Sequence, residues 1–135
     1  MDSSSDGDCR SFCERWLAAW TGNNPEGLLE FFCEDVLYRD PARASGIRGR
    51  EDLLSYLQIQ LARNPQWRLS LVDFWKVKDD FIVLKLRYRL PVGDKYIDEL
   101  GVALLEMKDG LIWSCEMYLD RSDWLRALRL EYTQD

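Results

Sequence analysis

Apolar residues keep a mainly helical step over the first half of this chain and an alternating step over the second, and the switch falls at Asn64-Pro65. Cys9, Phe12, Cys13, Trp16, Leu17 and Trp20 recur at three- and four-residue intervals, which predicts a first helix with an aromatic inner face over 9–20. Thr21-Gly22-Asn23-Asn24-Pro25 interrupts it. Asn24 can cap a second helix with Pro25 at its first position, turning Leu28, Leu29, Phe31 and Phe32 inward. A short strand is expected over 36–40, then a loop through Gly46. A third helix follows whose buried face carries Leu53, Leu54, Leu57 and Leu61. Beyond Pro65, strands are predicted over 67–77, 81–90, 95–107 and 111–120. The connections are Lys78-Asp79-Asp80, Pro91-Val92-Gly93-Asp94 and Lys108-Asp109-Gly110, all of hairpin type. Ser122 is placed to cap a last short helix with Trp124, Leu125 and Leu128 on one side. Helices followed by a long meander imply an α+β domain, a curved sheet wrapped around the helices.

A chain of 135 residues is large enough to bury about two-thirds of its unfolded surface as a single domain. No apolar run approaches the ~18 residues that span a bilayer, so no membrane association is expected. Residues 1–8 are polar and acidic and lack the pattern of a secretory signal. The expectation is a disordered acidic tail over 1–8, a domain over 9–132 and a cytoplasmic location. A net charge of −6, with Arg and Lys interleaved among acids, opposes nucleic acid as a partner. The four cysteines have no CxxC spacing and read as small buried hydrophobes. With no histidine, Ser-His and Cys-His nucleophiles and the commonest zinc sites are excluded together. Neither Asp79-Asp80 nor the acids of 2–8 have the spacing of a calcium loop, so no metal and no cofactor is expected. Proton transfer, if present, must use Asp, Glu, Tyr, Lys or Cys.

Trp16 and Trp20, Glu34-Asp35-Val36, Tyr38-Arg39-Asp40-Pro41 and Gly49-Arg50-Glu51 precede Asp109-Gly110-Leu111-Ile112 and Glu116-Met117-Tyr118-Leu119-Asp120-Arg121. In this order they resemble the SnoaL-like proteins of the nuclear transport factor 2-like (NTF2-like) superfamily over residues 10–130. The resemblance implies an α+β cone, a curved mixed or antiparallel sheet wrapped around N-terminal helices and enclosing a pocket, often dimerised through its sheet. That superfamily includes ketosteroid isomerase, polyketide cyclases, limonene epoxide hydrolase, scytalone dehydratase and members with no known reaction, so fold alone does not name an activity. It implies a small apolar or mixed-polarity ligand and, as chemistry, isomerisation, cyclisation or dehydration. The alternative is a non-catalytic ligand-binding or interaction module.

Asp40 matches the proton-abstracting aspartate of the ketosteroid isomerases and is the candidate general base. Against this stands the turn-forming habit of Asp before Pro, whose carboxylate accepts nearby backbone N–H groups. The oxyanion-stabilising tyrosine of those isomerases falls on Trp16 and their protonated aspartate near Val102. The last-strand aspartate of limonene epoxide hydrolase falls near Met117, so neither catalytic set is complete. Glu99 shares a strand face with the small residues Gly101 and Ala103, which makes it a candidate cavity acid. A cross-strand pair with Arg87 or Arg89 is the structural alternative. Glu116, Tyr118 and Asp120 alternate with Cys115, Met117 and Leu119, and only one row can face inward. Glu116 is a candidate acid and Tyr118 a candidate ligand contact if the polar row does. Trp16, Trp20, Tyr38 and Trp67 complete the expected ligand-binding set, and Trp75 has the same strand parity as Trp67.

Overall fold

Helix α1 (Ser3–Ala18) turns Cys13, Trp16 and Leu17 toward the interior, the face its three- and four-residue spacing marks out. The computed structural model describes residues 3–123 and 125–126. α1 begins six residues before the first periodic cysteine, because apolar spacing reports only the part of a helix that touches a core. α2 (Pro25–Leu29) is capped as expected, the Asn24 side chain accepting the Gly27 N–H at 3.1 Å. It is shorter than expected, and Phe32 opens strand β1 (Phe32–Arg39) instead. β2 (Ile47–Arg48) lies within the segment expected to be loop. α3 (Arg50–Arg63) buries Leu53, Leu57 and Leu61. Its start is set by Gly49 at φ 90°, a left-handed conformation that a side chain would strain. The meander is β3 (Arg68–Lys78), β4 (Phe81–Val92), β5 (Lys95–Lys108) and β6 (Leu111–Leu119).

The sheet order is β2-β1-β6-β5-β4-β3. Every pair is antiparallel except β1 with β6, which is parallel and joins the first strand to the last. The helices cover one face: α1 packs on β3, and α3 on α2, β1 and β2. Alternation decides what the sheet shows them. Ile82, Leu84, Leu86, Tyr88 and Leu90 of β4 are buried, as are Gly101, Ala103 and Leu105 of β5 and Cys115 and Met117 of β6. The outer face carries Leu100, Val102 and Tyr118, all exposed. Val102 therefore does not reach the interior.

Trp67 and Trp75 part company at a register shift between Leu71 and Asp73, which leaves Val72 as the extra residue of β3. Trp67, Leu69 and Leu71 point inward before it and Phe74 after it, so Trp75 faces outward and is 51% exposed. Parity counted along the sequence fails across such a bulge. The last segment also departs from expectation: Asp120 Oδ1 accepts the Ser122 N–H at 2.9 Å, and Leu125 N–H donates to the Arg121 carbonyl. Asp120, rather than Ser122, supplies the capping side chain, and Trp124 and Leu128 lie outside the described residues. No described helix is long and apolar enough to cross a membrane.

Candidate functional site

The interior of the cone is aromatic. Trp20 packs on Trp16, Tyr38 and Trp67 at ring-centroid distances of 6.0, 6.3 and 5.7 Å, and Phe32 closes on Trp16 and Tyr38. Several of these pairs are edge-to-face, the arrangement that ring quadrupoles favour. Trp16, Trp20 and Tyr38 are at most 1% exposed and Trp67 is buried beside them. The four rings expected to line a ligand pocket thus contact one another.

Asp40 stands at the end of β1, where the strand gives way to a tight loop. Its Oδ1 accepts the backbone N–H groups of Ala42 and Arg43, each at 2.9 Å. The turn reading of Asp-Pro therefore holds for this oxygen. Its Oδ2 accepts two phenols, Tyr38 at 2.8 Å and Tyr56 at 2.6 Å. A carboxylate has about four acceptor positions, and here all four are taken. Burial, reinforced by the charge of Asp40, raises the Tyr38 phenol well above its ordinary value. Tyr56 is raised by burial and by its hydrogen bond to the same carboxylate. Both phenols stay protonated and serve as donors.

Tyr56 was not among the residues the sequence singled out. It lies three positions after Leu53 and one before Leu57, so the helical spacing that found those leucines also sets it at the border of the buried face of α3. What no spacing shows is that α3 crosses β1 where Asp40 ends.

A cleft of about 510 Å³ opens beside Asp40, lined by Arg39, Pro41, Ala44, Met117, Tyr118, Leu119 and Asp120. Its size lies within the range of small-molecule sites. The rim of β6 comes close because Gly101 faces Leu119: a Cβ there would meet Leu119 Cδ2 at 2.4 Å and the Tyr118 carbonyl oxygen at 3.0 Å. Met117 and Leu119 contribute the apolar wall.

The other candidate acids stand apart from this pair of phenols. Glu116 is on the outer face, 3.5 Å from Arg39 Nη1, and accepts the Tyr118 hydroxyl. The apolar row of β6 is the one that faces inward, because Cys115 and Met117 complete the core. Tyr118 is 56% exposed and lines the cleft from the outer face of β6. Glu99 is half-exposed, and its carboxyl is raised by a hydrogen bond to Asp123, with burial and the charges of Asp123, Asp120 and Asp98 adding to it. The salt bridge considered for Glu99 is made instead by its neighbour, Asp98 with Arg87 at 2.8 Å. Among the described residues no group of three or more Cys, Asp or Glu side chains is placed to hold a metal ion.

A helix-backed, curved mixed sheet with an aromatic interior and a carboxylate at the end of its first strand defines an NTF2-like α+β cone. The chain belongs to the SnoaL-like domain family, whose model matches residues 13–115. No curated protein matches its sequence significantly. Among solved structures it is similar to a protein with a ketosteroid isomerase-like fold from Catenulispora acidiphila in complex with trimethylamine. The identity is 24% and the TM-score 0.68, over 77% of this chain and 81% of that one. A Mycobacterium tuberculosis epoxide hydrolase of the limonene epoxide hydrolase-like type matches with 17% identity and a TM-score of 0.70, over 90% and 89%. TerC, crystallised with polyporic acid, matches with 18% identity and a TM-score of 0.70, over 85% and 95%. At such identities the likeness establishes the fold.

Proposed function

We propose that this chain binds a small molecule of mixed polarity in the cleft beside Asp40, with the fixed negative charge of the clamped carboxylate attracting its polar end and Met117 and Leu119 as its apolar wall. The observation that carries this reading is the four-donor clamp on Asp40, which holds a charge in one orientation at the edge of a ligand-sized space. Small molecules bound by proteins of this fold, trimethylamine and polyporic acid, support it by analogy. In a thermal-shift series with amines, ketones, polyketide fragments and terpenoid epoxides, a ligand should raise the melting temperature saturably. Asp40→Asn should weaken that ligand about tenfold or more. An unchanged affinity in the variant would remove Asp40 from the site.

A second reading, proton transfer with Asp40 as general base, is favoured by one feature. The Tyr56 side chain is only half-buried, and its hydroxyl can turn away to free an Oδ2 lone pair for a substrate proton. The reaction class is isomerisation, cyclisation or dehydration of a carbonyl compound. The same ligand series in D2O separates the two readings. Solvent deuterium entering the carbon next to the carbonyl, and falling about 10²–10⁴-fold in Asp40→Asn, marks catalysis. Binding without exchange marks a ligand-binding module.

The chain is also proposed to form a homodimer through the outer face of its sheet. Trp75, Val83 and Leu104 lie on one cross-strand row there, and Val102 and Tyr118 on the next. Trp75, Val102 and Tyr118 are exposed and Val83 and Leu104 half-buried, and apolar side chains grouped on a surface in this way suit a protein contact. Light scattering should show a dimer that Trp75→Glu with Val102→Glu converts to a monomer, and a wild-type monomer at micromolar concentration would refute it.

A further inference from the structure

A second cleft, also of about 510 Å³, is lined by Thr21, Pro65, Gln66, Arg68, Arg89 and Tyr96 and shares no residue with the one beside Asp40. Its charge is unusual for this chain. Arg68 and Arg89 are directly opposed across the β3–β4 pair, a placement of like charges that costs stability when nothing lies between them. The one acid in register with them, Asp98 opposite Arg89, is engaged by Arg87 at 2.8 Å. The Arg68 side chain makes no hydrogen bond or ion pair among the described residues. Arg89 instead lies over the ring of Tyr96, 4.3 Å from its centroid, which holds the guanidinium plane at the cleft. Arg68 and Arg89 thus stand in register with a single carboxylate, Asp98, which Arg87 engages, on a protein of net charge −6.

We infer that this cleft binds a small organic anion through a phosphate or carboxylate group held between Arg68 and Arg89. Guanidinium groups present paired N–H donors that match the spacing of oxyanion oxygens, and a pair facing one space can grip both sides of one anion. The Gln66 amide, which makes no hydrogen bond among the described residues, can add a donor at the rim. The Thr21 hydroxyl is already committed to the Trp67 carbonyl, so it shapes the cleft without donating to the ligand. The volume exceeds what an inorganic oxyanion needs, and the exposed Tyr96 side chain at the cleft offers a surface for the rest of an organic molecule.

Calorimetry with pyrophosphate and with citrate, at ionic strength held constant with sodium chloride, tests the assignment and separates the two oxyanion classes. Wild-type protein should bind at least one of them saturably, the tighter probe naming the group. Arg68→Gln with Arg89→Gln should bind about tenfold or more weakly. Both side chains are exposed, so this variant should fold, with a melting temperature without anion at least equal to wild type. Lys78→Gln with Lys108→Gln removes the same charge from hairpins at the far end of the sheet and should bind as wild type does. Equal weakening in both double variants would reduce the effect to net charge and overturn the site, as would saturable binding of neither probe.

Discussion

Replacing Trp20 by alanine should destabilise the protein by about 3–5 kcal/mol, the cost of removing a large aromatic side chain from a packed core. Trp20 touches three of the four other rings of the cluster, and its side chain has almost no exposure. Neighbours in close packing cannot collapse fully into the space it leaves. Against a total stability of about 5–15 kcal/mol, this loss is at least about a fifth of the whole. Urea unfolding followed by far-UV circular dichroism measures it. Trp20→Phe, which keeps a ring in the cluster, should lose much less. A Trp20→Ala loss below about 1.5 kcal/mol would mean that the rings do not form one packed unit.

The Asp40 carboxylate should show a different pattern, because its main structural role is to satisfy donors. Asp40→Ala strands the Tyr38 hydroxyl, which is buried and left with only the Met117 sulfur at 3.8 Å. An unsatisfied buried donor costs about 1–3 kcal/mol, whereas the backbone N–H groups of Ala42 and Arg43 face water and recover hydration. Removing both partners is cheaper than removing one. Asp40→Ala combined with Tyr38→Phe should therefore be more stable than the sum of the two single losses predicts, by about 1 kcal/mol or more. Strict additivity in this double-mutant cycle would show that the Tyr38–Asp40 bond carries no energy. The cycle separates structural cost from ligand binding, since it is read without ligand.

The two variants sort the residues of the mouth and interior by what was readable in the chain. Trp16 and Trp20 carry the burial that their helical spacing implied, and Trp67, whose face the spacing left open, joins them where α1, β1 and β3 converge. Glu99 lies on the same side of β5 as Gly101 and Ala103, and its carboxyl meets Asp123, a neighbour that strand parity does not reveal. Glu116 and Tyr118 illustrate an alternation with two solutions, which Cys115 and Met117 resolve by completing the core.

Local patterns in the sequence determined the inner face of the first helix, the cap of the second, the third helix, the meander with its Asp-Gly turn and the acid at the end of the first strand. Each depends on residues a few positions apart, whose side-chain period or turn preference acts before any distant contact forms. Tertiary structure alone decided the parallel pairing of β1 with β6, the bulge that turns Trp75 outward, the reach of Tyr56 to Asp40 and the opposition of Arg68 to Arg89. These join segments from about 12 to about 80 residues apart, and which of them meet depends on how the whole chain buries its apolar faces at once.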